Sequence, residues 1–221
     1  MSLRFGVVGV VTLLALLLSP WAAAQPAKAR ASAGVDLAAR LSEVQANPAL
    51  ADNLFKTGRR VAAVCANCHG EGGNSVKPEI PNLADQNPAY MLEQLRQFAD
   101  GRRRNEFMEG LIKAMTADEK VGMVLFYSAQ KVQHKPATDA ALAAQGQSYY
   151  RQNCLTCHGE AGRGSDKMAR VAGQQTKYLD LTLRRYRSGS GVRVDPMMAG
   201  STRAMTNADI QAVIAYVSAM P

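Results

Sequence analysis

Apolar residues are spread unevenly along the chain. An apolar run, interrupted only by Thr12, covers Phe5 to Leu18, behind the basic start MSLR and ahead of Ala22-Ala23-Ala24. A basic start, an apolar core and a small-residue end make the order of a secretory signal. The run is 14 residues long, short of the ~20 that span a bilayer as a helix. Cleavage is expected after Ala24. Beyond it no segment is apolar enough to span, and nowhere do apolar and polar positions alternate as a half-buried strand requires. The remainder is expected to be all-α.

Turn and cap residues place the helices. Asn87-Pro88 reads as an N-cap followed by proline at the first helical position, with Gly101 as the stop. Thr116-x-x-Glu119 is a capping box, and Thr206 with Asp209 is its weaker partner. Two further helices are expected at 49–64 and 139–152. The pattern also repeats. NLADQNPAYMLEQLRQFADG (82–101) resembles RVAGQQTKYLDLTLRRYRSG (170–189), and MEGLIKAMTADEKVGMVLFYS (108–128) resembles MAGSTRAMTNADIQAVIAYVS (198–218). The offset drifts between 88 and 90 residues, as it does when insertions fall in loops between matched blocks. A whole small domain has been duplicated. The expected division is a signal peptide at 1–24, an N-terminal extension at 25–47, a first domain at 48–133, a linker at 134–137 and a second domain at 138–221.

All four cysteines fall inside the repeat, in CANCHGEGG (65–73) and CLTCHGEAG (154–162). In an exported chain they could form two disulfides, but disulfides give no reason for His69 and His158 to follow directly. A zinc site would have to draw both pairs together. A thioredoxin-like pair needs a βαβ context that is absent here. C-x-x-C-H is the signature of covalent haem c attachment, so two haem c groups are expected, held by Cys65 and Cys68 and by Cys154 and Cys157. A domain this small builds little core of its own, and a tethered haem supplies apolar surface and a staple.

With His69 and His158 as one axial ligand each, the sixth ligand decides the function. The third and last histidine, His134, could serve one site only, and no cysteine is spare. Methionine remains. Met108-Glu-Gly110 and Met198-Ala-Gly200 share the form M-x-G, 39 and 40 residues after their histidines, and are expected in loops ahead of the last helix of each domain. Met115 and Met205 are also paired but abut helix caps and read as core. Met197 competes with Met198, and only the M-x-G register separates them.

These residues resemble the dihaem cytochromes c of the cytochrome c4 type. The resemblance covers about residues 50–221. Its carriers are Cys65, Cys68, His69 and Met108 in one half and Cys154, Cys157, His158 and Met198 in the other, with IPNLADQNPAYMLEQL close to the family's wording. It implies two tandem helical cytochrome c domains and a place in the periplasm. It also implies a proline carbonyl accepting a hydrogen bond from the histidine ligand, a place Pro81 fits for His69. Ala169 and Arg170 stand where the second proline would be. The acceptor for His158 is then unnamed, which opens a difference in potential between the haems.

Filled axial positions describe an electron carrier, with donor and acceptor proteins as partners and a terminal oxidase as a natural acceptor. A haem-bearing subunit of a larger periplasmic sulfur-compound or alcohol dehydrogenase is the alternative. A haem enzyme would need an open iron. The formal charge is +8, with basic clusters at 101–104 (GRRR) and 184–187 (RRYR). They read either as solvated helix ends or as a docking surface for an acidic or membrane-bound partner. Nucleic acid is not expected, because the basic residues lack interleaved aromatics. The mature protein is expected to be a monomer or a complex subunit with no spanning segment.

Overall fold

The computed structural model describes residues 35–221, so the expected signal peptide and the start of the extension lie outside the described residues. Among the described residues the protein is helical with no strand, and the only bridge pairs Arg103 with Arg193. The first half contains α1 (Leu37–Ala46), α2 (Pro48–His69), a 3-10 turn (Glu71–Gly73), α3 (Pro88–Asp100), α4 (Glu106–Ala114) and α5 (Ala117–Ser128). The second contains α6 (Ala140–Asn153), α7 (Leu155–His158), α8 (Thr176–Ser188), α9 (Pro196–Thr202) and α10 (Asn207–Ala219).

Local chemistry sets most of these boundaries. Asn47 caps α2 and Pro48 fills its first position. Both capping boxes form, at Thr116 and Glu119 and at Thr206 and Asp209. α3 and α8 stop at Gly101 and Gly189, whose φ of 80° and 62° suits a residue with no Cβ. The expected helix at 49–64 is longer than its punctuation suggested. α2 runs through Cys65 and Cys68 and ends on His69. In the second half the chain bends at Cys154 (φ −121°, ψ −30°), and the motif occupies the single turn of α7.

Each half has its own apolar cluster. Its centre is a helix crossing so close that a side chain cannot enter. A Cβ on Gly58 of α2 would lie 1.8 Å from the Gly122 carbonyl oxygen of α5, and one on Gly146 of α6 would lie 1.9 Å from that of Ala212 of α10. Gly58→Ala must push two backbones apart. It should cost at least the ~1–3 kcal/mol of forced overpacking, read as a lower midpoint in chemical denaturation. An unchanged midpoint would show that the crossing yields freely.

α1 belongs to the extension and packs on the first half. Leu41 and Val44 are buried in one cluster with Leu92, Val121 and Val124, and each such side chain contributes ~1.5–3 kcal/mol. Arg40 Nε donates to Asp118 Oδ1 at 2.9 Å, tying α1 to the first turn of α5. Among the described residues the second half has no such cover. There the positions matching Leu92 and Val121 are Asp180 and Gln211, which line a polar groove with Lys177 and Arg184. The connection between halves is pinned on both sides. Asn74 Nδ2 donates to the Lys131 carbonyl and Asn74 Oδ1 accepts from Gln133 N–H, both at 2.8 Å. His134 Nδ1 lies 2.8 Å from the Met220 carbonyl oxygen.

Candidate functional site

His69 ends α2 and is buried, with Nδ1 2.9 Å from the Pro81 carbonyl oxygen. A carbonyl only accepts, so Nδ1 carries the proton and the lone pair is on Nε2. Burial holds the imidazole below its ordinary pKa, so it is neutral and able to bind a metal. His158 repeats the arrangement. It too is buried and depressed by burial, and its Nδ1 lies 2.9 Å from the Ala169 carbonyl oxygen. The departure from proline therefore leaves the second histidine with an acceptor, because a backbone oxygen does not depend on its residue's side chain. Both acceptor loops hang from one carbonyl. Gly73 O accepts from Leu83 N and Ala84 N at 2.8 and 3.2 Å; Gly162 O accepts from Val171 N and Ala172 N at 2.7 and 3.1 Å.

The four cysteines form no disulfide and are half-buried. Burial raises the Cys65 thiol and pushes Cys154 up to about 11, opposite to the depressed thiol of a redox pair. Cys65 and Cys68 sit on α2; Cys154 lies just ahead of α7 and Cys157 within it. Among the described residues no three His, Cys, Asp or Glu side chains come together to hold a metal ion. A zinc centre drawn from both pairs is not formed.

The M-x-G methionines are not in loops. Met108 lies in the first turn of α4 and its N–H donates to the cap Asn105 Oδ1 at 3.0 Å. Met198 does the same in α9 with Asp195 Oδ1 at 3.0 Å. The cap fixes the backbone that carries each thioether. Met198 is half-buried, whereas Met197 is 58% exposed. Met115 and Met205 are buried in the two cores. In the second half a cavity of about 290 Å³ is lined by Cys154, Cys157 and His158 from α7 and its approach, Met197 and Met198 from α9, and Leu183 and Val213. Its lining is largely apolar. A flat apolar group tethered to two sulfurs and ligated by nitrogen and thioether fits these residues.

A second cluster lies where the halves meet, and the sequence reading missed its role. Arg103 Nη2 and Arg193 Nη1 donate to Tyr178 Oη at 3.1 and 2.7 Å. Both guanidinium groups also bond Gln94 Oε1 at 3.0 Å, and Arg193 bonds Tyr90 Oη. Among the described residues neither arginine has a carboxylate partner, and Arg193 Nε is buried without a partner. Burial alone would raise the Tyr178 phenol, but the charges of Arg193 and Arg103 beside it bring it below its ordinary value. Tyr90 and Tyr178 stand at matched positions of the repeated blocks 82–101 and 170–189. Their matched placement, each ahead of a GRRR or GVR turn, was the available signal.

Other arginines of the two basic clusters also pair within the protein while keeping to its surface. Arg102 pairs with Asp100 and Glu93, and Arg104 with Glu109. Arg184 pairs with Asp180, and Arg187 donates to the Met205 carbonyl at 2.8 Å. Arg102, Arg104 and Arg184 are 44%, 62% and 37% exposed, and Arg185 is exposed as well, so these charges also face solvent.

The family model of cytochrome c matches residues 55–131 and again 143–221. Cytochrome c4 of Thiocapsa roseopersicina is 34% identical over 170 residues, covering 71% of this chain and 87% of that one. A protein named thiosulfate dehydrogenase electron acceptor, from Thiomonas intermedia (strain K12), is 33% identical over 174 residues, covering 72% and 80%. The crystal structure of reduced recombinant cytochrome c4 from Pseudomonas stutzeri superposes with a TM-score of 0.70 at 30% identity, over 75% of this chain and 98% of that one. Two matched cytochrome c regions, a helical fold in two halves and relatives that are themselves cytochromes c4 lead to one conclusion: the chain belongs to the cytochrome c family, as an electron-transfer cytochrome of the cytochrome c4 type with two covalently bound haem c groups.

Proposed function

We propose that the protein is an exported carrier that takes electrons from one redox protein and gives them to another, without itself catalysing a reaction on a small substrate. Cys65 and Cys68 hold the first haem and Cys154 and Cys157 the second. His69 with Met108, and His158 with Met198, would ligate the two irons, and Arg103 and Arg193, which lack carboxylate partners among the described residues, would offset the charge of haem carboxylates. The haem supplies an iron that changes charge by one electron. The chain fixes each histidine by its Nδ1–H, and a histidine and a methionine would ligate each iron inside an apolar lining. The observation that carries the reading is the second-half cavity, with His158 and Met198 both in its wall. With histidine and methionine both bound, an iron there would have no position for a substrate, and thioether ligation with burial would favour a high potential.

Export rests on the apolar run ahead of Ala24, which points to the periplasm. Among the described residues no helix is long and apolar enough to cross a membrane. The relative named for accepting electrons from thiosulfate dehydrogenase supports a sulfur-compound dehydrogenase as donor. A terminal oxidase is the natural acceptor for a high-potential haem. Phe107 and Met197 occupy matched positions, each one residue before the axial methionine, and are 71% and 58% exposed. They give each half an apolar contact point for a partner.

The test uses the reduced native protein at neutral pH. Carbon monoxide should leave its spectrum unchanged, while stopped-flow mixing with a purified donor and then an oxidase should reduce and reoxidise both haems. Carbon monoxide binding to either haem would overturn the carrier reading in favour of an open iron. Isolation from periplasm only in fixed stoichiometry with a second chain would replace it by the subunit reading.

A further inference from the structure

The two halves meet through a buried layer of side-chain amides arranged twice over. Gln174 Oε1 accepts from Asn82 N–H at 2.7 Å, and its Nε2 donates to the Asn82 carbonyl at 3.1 Å. Gln86 Oε1 accepts from Arg170 N–H at 2.7 Å, and its Nε2 donates to the Arg170 carbonyl at 2.9 Å. Each glutamine is anchored in its own half, because the same oxygen accepts from Asn87 N–H at 3.0 Å or Gln175 N–H at 2.9 Å. All four residues in the two clamps are buried.

The clamped N–H groups belong to the peptide units that hold the histidines. Asn82 N–H and the Pro81 carbonyl are two ends of one peptide, and that carbonyl accepts from His69. Arg170 N–H and the Ala169 carbonyl are two ends of another, and that carbonyl accepts from His158. A peptide unit is planar and conjugated, so an acceptor at its N–H polarises it and makes its oxygen a better acceptor. The chain His69–peptide–Gln174 therefore crosses from the first half to the second, and His158–peptide–Gln86 crosses back.

We propose that Gln86 and Gln174 are positioning residues acting across the junction, each setting the orientation and basicity of the histidine ligand in the opposite half. The inference rests on His69 and His158 being axial ligands. A stronger hydrogen bond from Nδ1 makes the imidazole a stronger donor to iron and favours ferric iron. Removing the glutamine acceptor should therefore raise the potential of the opposite haem.

The experiment is a redox titration of the full dihaem protein followed by NMR, in which nuclear Overhauser contacts from haem methyl groups to neighbouring side chains assign each transition to a half. Gln174→Met should raise the ferrous-to-ferric ratio of the first haem, at the parent midpoint, by roughly 2- to 10-fold, the range of one hydrogen bond. The second haem should not move. Gln86→Met should do the converse. Gln174→Glu, with the carboxylate ionised, strengthens the acceptor and should shift the first haem the other way; it also stands in if the Met variant does not fold. A shift on the substituted residue's own half, equal shifts on both haems, shifts of one sign for Met and Glu, or no shift would overturn the inference. Axial ligation is read separately, from the iron-shifted imidazole ring protons of the unsubstituted protein. Their absence would sink the ligand reading, whereas the inference fails only in the variants.

Discussion

Replacing both Cys65 and Cys68 with alanine should leave one covalent haem per chain instead of two, counted against protein after denaturation. The two sulfurs sit three residues apart on α2, which ends on His69, so haem can be tethered and ligated from one turn of helix. Losing the tether should do more than release a cofactor. Each half is small and encloses an apolar site, and a domain of that size depends on a staple. The first half should melt ahead of the second, giving two transitions where the parent gives one. Cys154→Ala with Cys157→Ala is the mirror experiment, and the expected order of melting reverses. Two haems remaining in the first variant would show that the 65–69 motif does not bind one.

Met108→Ala should remove half of the weak near-red absorption band of ferric haem with a thioether ligand, and Met198→Ala the other half. Each change should also lower the potential of one haem, since sulfur favours ferrous iron, and admit carbon monoxide to it. The control substitutions are Met115→Ala and Met205→Ala. Both side chains are buried in the cores, so they should keep the full band and cost ~2–5 kcal/mol of stability. The register in the second half is the sharper question. Met197 and Met198 both line the cavity, but Met197 turns mostly to solvent while Met198 is half-buried, which favours Met198. Loss of the band in Met197→Ala instead would move the ligand by one residue. A band unaffected by either change would mean that the second half is not a histidine–methionine site.

What the sequence made legible depended on how far apart the interacting groups lie. The capping boxes at Thr116 and Thr206 were readable because cap and partner are three residues apart. The cysteine–histidine motifs were readable for the same reason. α2 was expected to stop before Cys65, and the residues between Cys65 and His69 carry no signal that the helix continues. The methionine segments were expected as loops, although Asp195-Pro196 is an N-cap followed by a first-turn proline and would have announced α9. Asn87 had the look of a cap, but its side chain makes no cap bond. Its Nδ2 donates instead to the Arg163 and Met168 carbonyls, 2.9 Å away in the other half. The amide clamps and the paired arginines escaped notice because the partners that join one half to the other are 75 or more residues distant along the chain. The acceptor for His158 escaped for another reason: the search was for a proline, and the bond needs only a carbonyl.

The clamps are one contact made twice, with Gln86 on Arg170 and Gln174 on Asn82 at matched positions of the duplicated unit. A patch that pairs with its own copy in this reciprocal way is the interface of a two-fold homodimer. Here the two copies are joined by a single short linker, which is itself held by Asn74 and His134. Encounter of the two patches is then intramolecular and its extent does not fall on dilution. A single-haem homodimer with this interface would lose the partner that polarises its histidine as soon as its concentration dropped below the dissociation constant. Fusion removes that dependence, so the pair of haems keeps one set of potentials whether the cell makes much of the protein or little.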